Sequence, residues 1–200
     1  MKVKQLDLNE VRWVYDAHLA LDYPERERKP LKTIQSLYKK GVYHCYAMME
    51  GELVVAYAFF CQKGDWLLLD YFAVSAAFRG QGYGSRLLQG MRLFYPKLGL
   101  LTQVKDPDRC PAPEEGRSRR CINFYQKLGF VLTPIRVMLR TEEYLVLAWT
   151  PPNTAPTTQQ IYTALEGLHR DCPDPRETKL IQPPAGPKQE VQGFQETAGA

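Results

Sequence analysis

Three glycines within five residues, at positions 80, 82 and 84, are the feature that most constrains how this chain folds. They follow an apolar run, 66–74, that is typical of a buried strand. The segment after them is predicted as an amphipathic helix, because apolar residues recur there at helical spacing: Leu87, Leu88, Met91 and Phe94. Glycine has no Cβ, so a ligand can approach the backbone of such a turn closely. The first helical turn adds unpaired N–H donors and the positive end of the helix dipole. The pattern predicts a phosphate-binding turn, with an ordinary Gly-rich loop as the alternative.

The spacing of these glycines excludes two common phosphate-binding turns. A P-loop requires Gly-Lys-Ser or Gly-Lys-Thr, whereas Gly84 is followed by Ser85-Arg86. The dinucleotide fingerprint Gly-x-Gly-x-x-Gly does not match glycines at every second position. The stretch instead resembles motif A of the GNAT N-acetyltransferase superfamily, Arg/Gln-x-x-Gly-x-Gly/Ala, with Arg79, Gly82 and Gly84 at its fixed positions. In that family the loop holds the pyrophosphate of acetyl-coenzyme A.

A second stretch, 120–130, resembles motif B of the same family. There a helix carrying an aromatic–Tyr pair, here Phe124-Tyr125, ends in Leu-Gly-Phe, here 128–130. A predicted strand, 98–104, lies between the two motifs, as it does in the family. The resemblance covers about residues 1–150, and the two motifs in this order are far more specific than either alone.

The resemblance and the hydrophobic pattern together predict an α/β (α+β) GNAT fold. Its central mixed sheet is expected to have about six to seven strands, with helices on both faces and a splayed parallel strand pair that holds the cofactor. Around it, strands are predicted at 2–6, 42–49, 53–61, 130–140 and 144–149, and helices from Leu8 to before Pro24 and over 31–40. Asp7 and Glu10 resemble a capping box at the start of the first helix, whose α-helical spacing places His18 inward. Residues 23–30 are interpreted as a charged loop between the two helices. Because a helix separates strands 66–74 and 98–104, that pair should be parallel. The polar stretch 106–120 is interpreted as a long loop that leads into the motif B helix.

The resemblance also implies which residues form the site. It places the cofactor against these residues: Phe72, Ala73, Val74, Arg79, Gly80, Gln81, Gly82, Tyr83, Gly84, Ser85, Phe124 and Tyr125. Pantetheine would pair with the backbone N–H groups of 72–74, one of which would polarise the acetyl carbonyl. Tyr125 matches the usual general acid, and a core aromatic is the alternative.

The catalytic base is less clearly indicated by the sequence. Asp70 lies on the strand before motif A and is interpreted either as a base with a raised pKa or as a brace of the neighbouring strand. On the next strand Gln103 stands where similar proteins often carry a glutamate, and an amide cannot accept the proton. The Asn often found at the entry to motif B is also replaced, with Ser118 nearest in position.

Composition limits the classes of partner. A net charge of +4 fits an anionic ligand and does not argue for nucleic acid, and no apolar run approaches the ~18 residues of a membrane span. The N-terminus lacks the apolar core of a signal peptide. Five irregularly spaced cysteines predict reduced thiols and a cytoplasmic location, and three scattered histidines give no metal-ligand cluster.

The chain is predicted to comprise a GNAT domain, 1–150, a linker with a C-terminal helix, 151–172, and a disordered tail, 173–200.

The resulting expectation is a cytoplasmic enzyme, a monomer or homodimer, that moves an acetyl group from acetyl-CoA to a primary amine by direct transfer in a ternary complex, without a metal. The acceptor class stays open: a small amine, an antibiotic, a polyamine, an amino acid or a protein. One alternative is a non-catalytic acyl-CoA-binding sensor or regulatory module. Another is transfer to a different nucleophile or of a longer acyl group.

Overall fold

The computed structural model describes residues 2–181, and its regular elements follow the predicted order. Its strands are β1 Lys2–Gln5, β2 Tyr43–Glu50, β3 Leu53–Lys63, β4 Trp66–Val74, β5 Gly99–Lys105, β6 Val131–Leu139, β7 Glu142–Trp149 and β8 Thr178–Ile181. Its α-helices are α1 Leu8–Val14, α2 Ala20–Asp22, α3 Leu31–Lys39, α4 Tyr83–Phe94, α5 Ala112–Lys127 and α6 Thr158–Asp171. Short 3-10 turns form at Glu25–Glu27 and Ala76–Phe78.

The predicted fold class is confirmed. The strands form one mixed sheet in the order β1-β2-β3-β4-β5-β7-β6-β8, flanked by helices, and β4 and β5 are the parallel pair. The described part of the chain has eight strands rather than the expected six or seven. The additional strand is β8, which lies beyond the region that the sequence motifs cover.

The described residues divide into two compact units, of which the first comprises 2–63 and 68–96. Here β1, β2 and β3 pair antiparallel, with Lys2 opposite Met49 and Tyr43 opposite Cys61. Strand β3 is buried along most of its length, because both of its faces are covered. Large side chains fill this core, among them Leu19, Ile34, Tyr57, Phe59, Phe60, Leu87 and Met91. Phe94 departs from the predicted apolar stripe of α4, since it is about half exposed.

The first helix changes its winding halfway along. Asp7 and Glu10 form the predicted capping box at its start, with the Asp7 carboxylate accepting from the Glu10 N–H at 2.9 Å. A π-helical turn, Tyr15–Leu19, then connects α1 to α2. Such a turn inserts one residue into the helical repeat and shifts which side chains face inward. Consequently Leu19 is fully buried, whereas His18, which the α-helical spacing placed inward, is partly exposed.

Among the described residues the second unit comprises 64–67 and 97–181, and it departs from the prediction in two places. Helix α5 begins at Ala112, so part of the stretch interpreted as a loop is helical. Pro113 in the first turn and the acidic Glu114 and Glu115 near the N-terminus favour that start. Residues 178–181 form β8, paired antiparallel to β6, although disorder was expected from 173 onward. Residues 182–200 of the predicted tail lie outside the described residues.

The cysteines correct another prediction. Cys61 and Cys172 are disulfide-bonded, which contradicts the expectation of reduced thiols for these two, while Cys45, Cys110 and Cys121 are free. A cytoplasmic location therefore stays a prediction, since disulfides are uncommon in that compartment. Within residues 2–181 no helix is long and apolar enough to cross a membrane.

Candidate functional site

The glycine turn has the backbone geometry expected of a ligand-binding loop. Gly80 and Gly82 both adopt positive φ, +77° and +80°, a conformation that other residues rarely adopt. Gly82 is the N-cap of α4 and provides no side-chain cap, so the first turn of a 12-residue helix begins without a capping side chain. A Cβ at Gly80 or Gly82 would meet no atom within 4 Å. The space above both peptides is therefore open to a ligand.

Side chains around this turn add positive charge. The Arg79 guanidinium donates from Nε to the Val74 carbonyl at 3.0 Å, and its Nη2 lies 3.8 Å from Asp22 Oδ1. Gln81 folds back and donates to the Ala77 carbonyl at 3.0 Å. The Arg86 guanidinium lies 5.3 Å from the centre of the Tyr83 ring. Two arginines thus flank a turn whose backbone donors are already suited to an anion.

The Phe72 peptide on β4 is bound by a residue that the sequence did not single out. The Tyr23 hydroxyl accepts from the Phe72 N–H at 3.0 Å and donates to the Phe72 carbonyl at 3.0 Å. The next two positions of β4, Ala73 and Val74, are partly exposed. Sequence analysis treated Tyr23 only as the start of a charged loop. Its distance of 49 residues from Phe72 leaves no local signal for the pairing.

Asp70, the candidate base, lies in a buried ion pair. Its two carboxylate oxygens accept from Lys29 Nζ at 2.8 and 2.7 Å, and its Oδ2 also accepts from the Tyr43 hydroxyl. The Lys29 and Asp70 side chains are only 3% and 10% exposed. Burial, followed by the charge of Asp70, raises the pKa of Tyr43 well above its ordinary value, so this hydroxyl stays a donor. These contacts favour the bracing role that the sequence left open for Asp70.

Another carboxylate lies beside the glycine turn. Asp22, at the end of α2, accepts from the Tyr57 hydroxyl at 2.9 Å through Oδ2, while its Oδ1 faces Arg79. Burial raises the pKa of Tyr57, and the neighbouring Tyr23 and Asp22 raise it further. Sequence analysis missed Asp22, because a single acidic residue near a helix end carries no distinctive pattern.

The motif B residues form an aromatic cluster within the second unit. The Tyr125 ring is 7% exposed and contacts the rings of Phe124 and Phe130 edge to face, with centroids 5.1 and 5.3 Å apart. Gly129, at φ +77°, ends the helix as predicted. On β5, the side chain of Gln103 lies 2.6 Å from His169 Nε2. The roles of Phe124 and Tyr125 toward a cofactor remain predictions.

A family model matches the central part of the chain. Residues 41–132 match the family model described as "Acetyltransferase (GNAT) domain". No curated protein matches the sequence.

Solved structures share the fold at low sequence identity. A GNAT-family acetyltransferase structure from Bacteroides thetaiotaomicron has a TM-score of 0.66 and 19% identity, over 84% of this chain and 96% of that chain. The ribosomal-protein-S18-alanine N-acetyltransferase from Escherichia coli has a TM-score of 0.57 and 18% identity, over 74% and 92%. An aminoglycoside 6'-N-acetyltransferase complexed with coenzyme A has a TM-score of 0.58 and 16% identity, over 75% and 97%. The resemblance drawn from the two motifs is confirmed.

Proposed function

Because the chain carries a GNAT acetyltransferase domain, we propose that it moves an acetyl group from acetyl-CoA directly to a primary amine of an acceptor. The observation that carries the proposal is the turn before α4, with two left-handed glycines and no side-chain cap at the helix start. This turn offers backbone N–H groups and two arginines to the pyrophosphate of the cofactor. Residues 79–82 are exposed, so a ligand has access to their backbone.

Acetyl transfer places three demands on the protein. The acceptor amine must lose a proton, the carbonyl oxygen must be stabilised as it gains charge, and the leaving thiolate must gain a proton. We assign the second task to backbone N–H groups of 73–74, since the Phe72 N–H of the predicted set 72–74 already donates to Tyr23, and keep Tyr125 as the proposed general acid. For Asp70 we propose bracing of β4, because Lys29 and Tyr43 already bind its carboxylate. Proton removal from the amine then falls to water, with catalysis resting on positioning and the strand N–H groups.

The test of the cofactor site compares Gly82→Val with Gly41→Val. Gly41 is a matched control, since its φ is +73° and a Cβ there also meets nothing within 4 Å, but it follows α3. Both variants force a branched residue into a left-handed conformation, at a cost of about 1–2 kcal/mol each. Only Gly82→Val also obstructs approach to the turn. Calorimetry should therefore show acetyl-CoA binding lost in Gly82→Val and retained in Gly41→Val, with similar melting temperatures. Equal affinity in the two variants would refute the assignment.

A second measurement separates an enzyme from a sensor. The wild-type chain is incubated with acetyl-CoA and a panel of polyamines, aminoglycosides, amino acids and peptides, and free CoA thiol is followed over time. Amine-dependent thiol release, with the acetylated product seen by mass spectrometry, supports the enzyme. Tight acetyl-CoA binding without thiol release for any amine of the panel would favour the sensor. The sensor is the main alternative, because the Asp70 carboxylate already accepts from Lys29 and Gln103 carries an amide in place of a carboxylate.

A further inference from the structure

We propose that Tyr23 is a positioning residue of the acyl site, whose hydroxyl fixes the Phe72 peptide on β4. This inference rests on the proposed function, because it assumes that an acyl-CoA lies along β4. The segment after α2 would then help to orient the β4 backbone toward the acyl group. Neither the motif resemblance nor the family match points to Tyr23.

The carrying observation is that one side-chain oxygen satisfies two backbone groups of the same residue. In an antiparallel pair, a residue commonly exchanges both of its hydrogen bonds with one residue of the neighbouring strand. The Tyr23 hydroxyl reproduces this arrangement, accepting from the Phe72 N–H and donating to the Phe72 carbonyl, each at 3.0 Å. It therefore replaces a strand neighbour at a single residue and holds the orientation of that peptide.

The hydroxyl is itself held in place from the ring side. The Tyr23 ring contacts the Tyr71 ring edge to face, with centroids 5.0 Å apart. The Tyr71 hydroxyl accepts from the Lys29 N–H at 2.7 Å and donates to the Glu27 carbonyl at 3.1 Å. The Tyr23 N–H continues the preceding helix by donating to the Leu19 carbonyl at 3.0 Å. Because its backbone and its ring are both held in place, Tyr23 restrains the Phe72 peptide and does not adapt to it.

This restraint matters for acyl transfer because stabilisation of a developing oxyanion requires donors oriented before the reaction. Because the Phe72 N–H already donates to Tyr23, the positions left to supply those donors are 73 and 74. The Phe72 carbonyl, to which Tyr23 donates, belongs to the same peptide as the Ala73 N–H, so Tyr23 also restrains the first of these donors. The glycine turn, by contrast, has its own geometry, determined by Gly80 and Gly82. Removing the Tyr23 hydroxyl should therefore disturb the acyl end of a bound ligand and leave the pyrophosphate end unaffected. The two ends are distinguished by comparing acetyl-CoA with CoA, which lacks the acyl group.

The experiment uses Tyr23→Phe, with Tyr38→Phe as control. The control also loses one tyrosine hydroxyl bound to a backbone carbonyl, that of Leu6 at 2.8 Å. Leu6 follows β1, which β2 and β3 separate from β4 in the sheet. Calorimetry gives Kd for CoA and for acetyl-CoA with the wild-type chain and both variants. In Tyr23→Phe we expect the ratio of the two Kd values to change by about threefold to tenfold, which corresponds to the loss of one ordinary hydrogen bond. The affinity for CoA should stay within about twofold of the wild-type value. With a responsive amine, kcat should fall by a similar or larger factor while KM for the amine stays within twofold.

The outcomes separate this inference from the proposed function. If the wild-type chain binds neither ligand, the proposed function fails and the inference falls with it. If the wild-type chain binds both CoA and acetyl-CoA and Tyr23→Phe leaves the ratio of their Kd values unchanged, the inference is wrong but the proposed cofactor site is supported. A merely structural role would lower the melting temperature without changing the ratio, as expected of Tyr38→Phe.

A measurement on the wild-type chain keeps the test independent of how the variant folds. With ¹⁵N-phenylalanine labelling, the Phe72 amide resonance should shift more with acetyl-CoA than with CoA. Equal shifts with the two ligands would overturn the inference.

Discussion

Replacing Asp70 by Asn tests whether this carboxylate braces β4 or carries protons. The change keeps the size and removes the charge that faces Lys29 Nζ at 2.7 Å. Because the Lys29 side chain is 3% exposed, its ammonium would lose its counter-charge without gaining water. Breaking a buried pair in this way costs about 3–5 kcal/mol. For a chain of this size that corresponds to a fall in melting temperature of roughly 6–20 °C.

The assay is urea unfolding of four chains in a double-mutant cycle: wild type, Asp70→Asn, Lys29→Met and the double variant. Removing both charges leaves no uncompensated ion, so the double variant should be more stable than Asp70→Asn alone. Glu115→Gln is the matched control, since its pair with Arg119 is exposed and its loss should leave the free energy of unfolding nearly unchanged. Turnover, once an acceptor is known, should fall in Asp70→Asn by a factor that does not depend on pH.

The opposite result would identify a base. If the free energy of unfolding of Asp70→Asn lies within about 1 kcal/mol of the wild-type value, the ion pair does not brace β4. If its turnover defect is also largest at low pH and shrinks as free amine becomes abundant, the carboxylate accepts the proton of the acceptor. Either finding would refute the reasoning from the Lys29 and Tyr43 contacts.

Further predictions concern packing and thiols. Gly99→Ala should lower the free energy of unfolding by about 1–3 kcal/mol in urea titrations, because a Cβ there would lie 2.5 Å from the Trp66 ring. Gly116→Ala, in α5, should raise it by up to about 1 kcal/mol, since its Cβ meets only the Arg120 side-chain end at 3.4 Å; equal effects would contradict the packing described. Thiol titration of the denatured, unreduced chain should count three thiols, and titration after reduction should count five. Five thiols before reduction would contradict the disulfide-bonded state of Cys61 and Cys172.

The sequence predicted those parts of the fold that depend on short-range rules. The capping box at Asp7 and Glu10, the glycine turn before α4 and the helix stop at Gly129 are each determined within a few residues. The strands follow from runs of apolar residues, because a strand covered on both faces must be apolar throughout. For the same reason the prediction of β3 and β4 was accurate to within two residues.

The sequence did not indicate several features that depend on contacts between distant residues or on a local change of helical winding. Lys29 lies in a charged stretch that is typical of solvent exposure, yet it is buried because Asp70, 41 residues away, accepts from it. The π-helical turn at Tyr15–Leu19 moved His18 outward against the α-helical period. Strand β8 is only four residues long, and its pairing with β6 depends on a partner some 40 residues earlier in the chain.

Three contacts between distant residues fasten one segment to the strand on which the proposed chemistry depends. Between the end of α2 and the start of α3, Tyr23 binds Phe72, Lys29 binds Asp70, and the Lys29 backbone binds the Tyr71 hydroxyl. Three consecutive residues of β4 are thus held by one short stretch of the first unit. A substitution in that stretch therefore acts on β4 even where it touches no ligand. Substitutions at the contacting positions of 23–29 should accordingly change acetyl-CoA affinity, and an unchanged affinity would indicate that the contacts do not transmit the change.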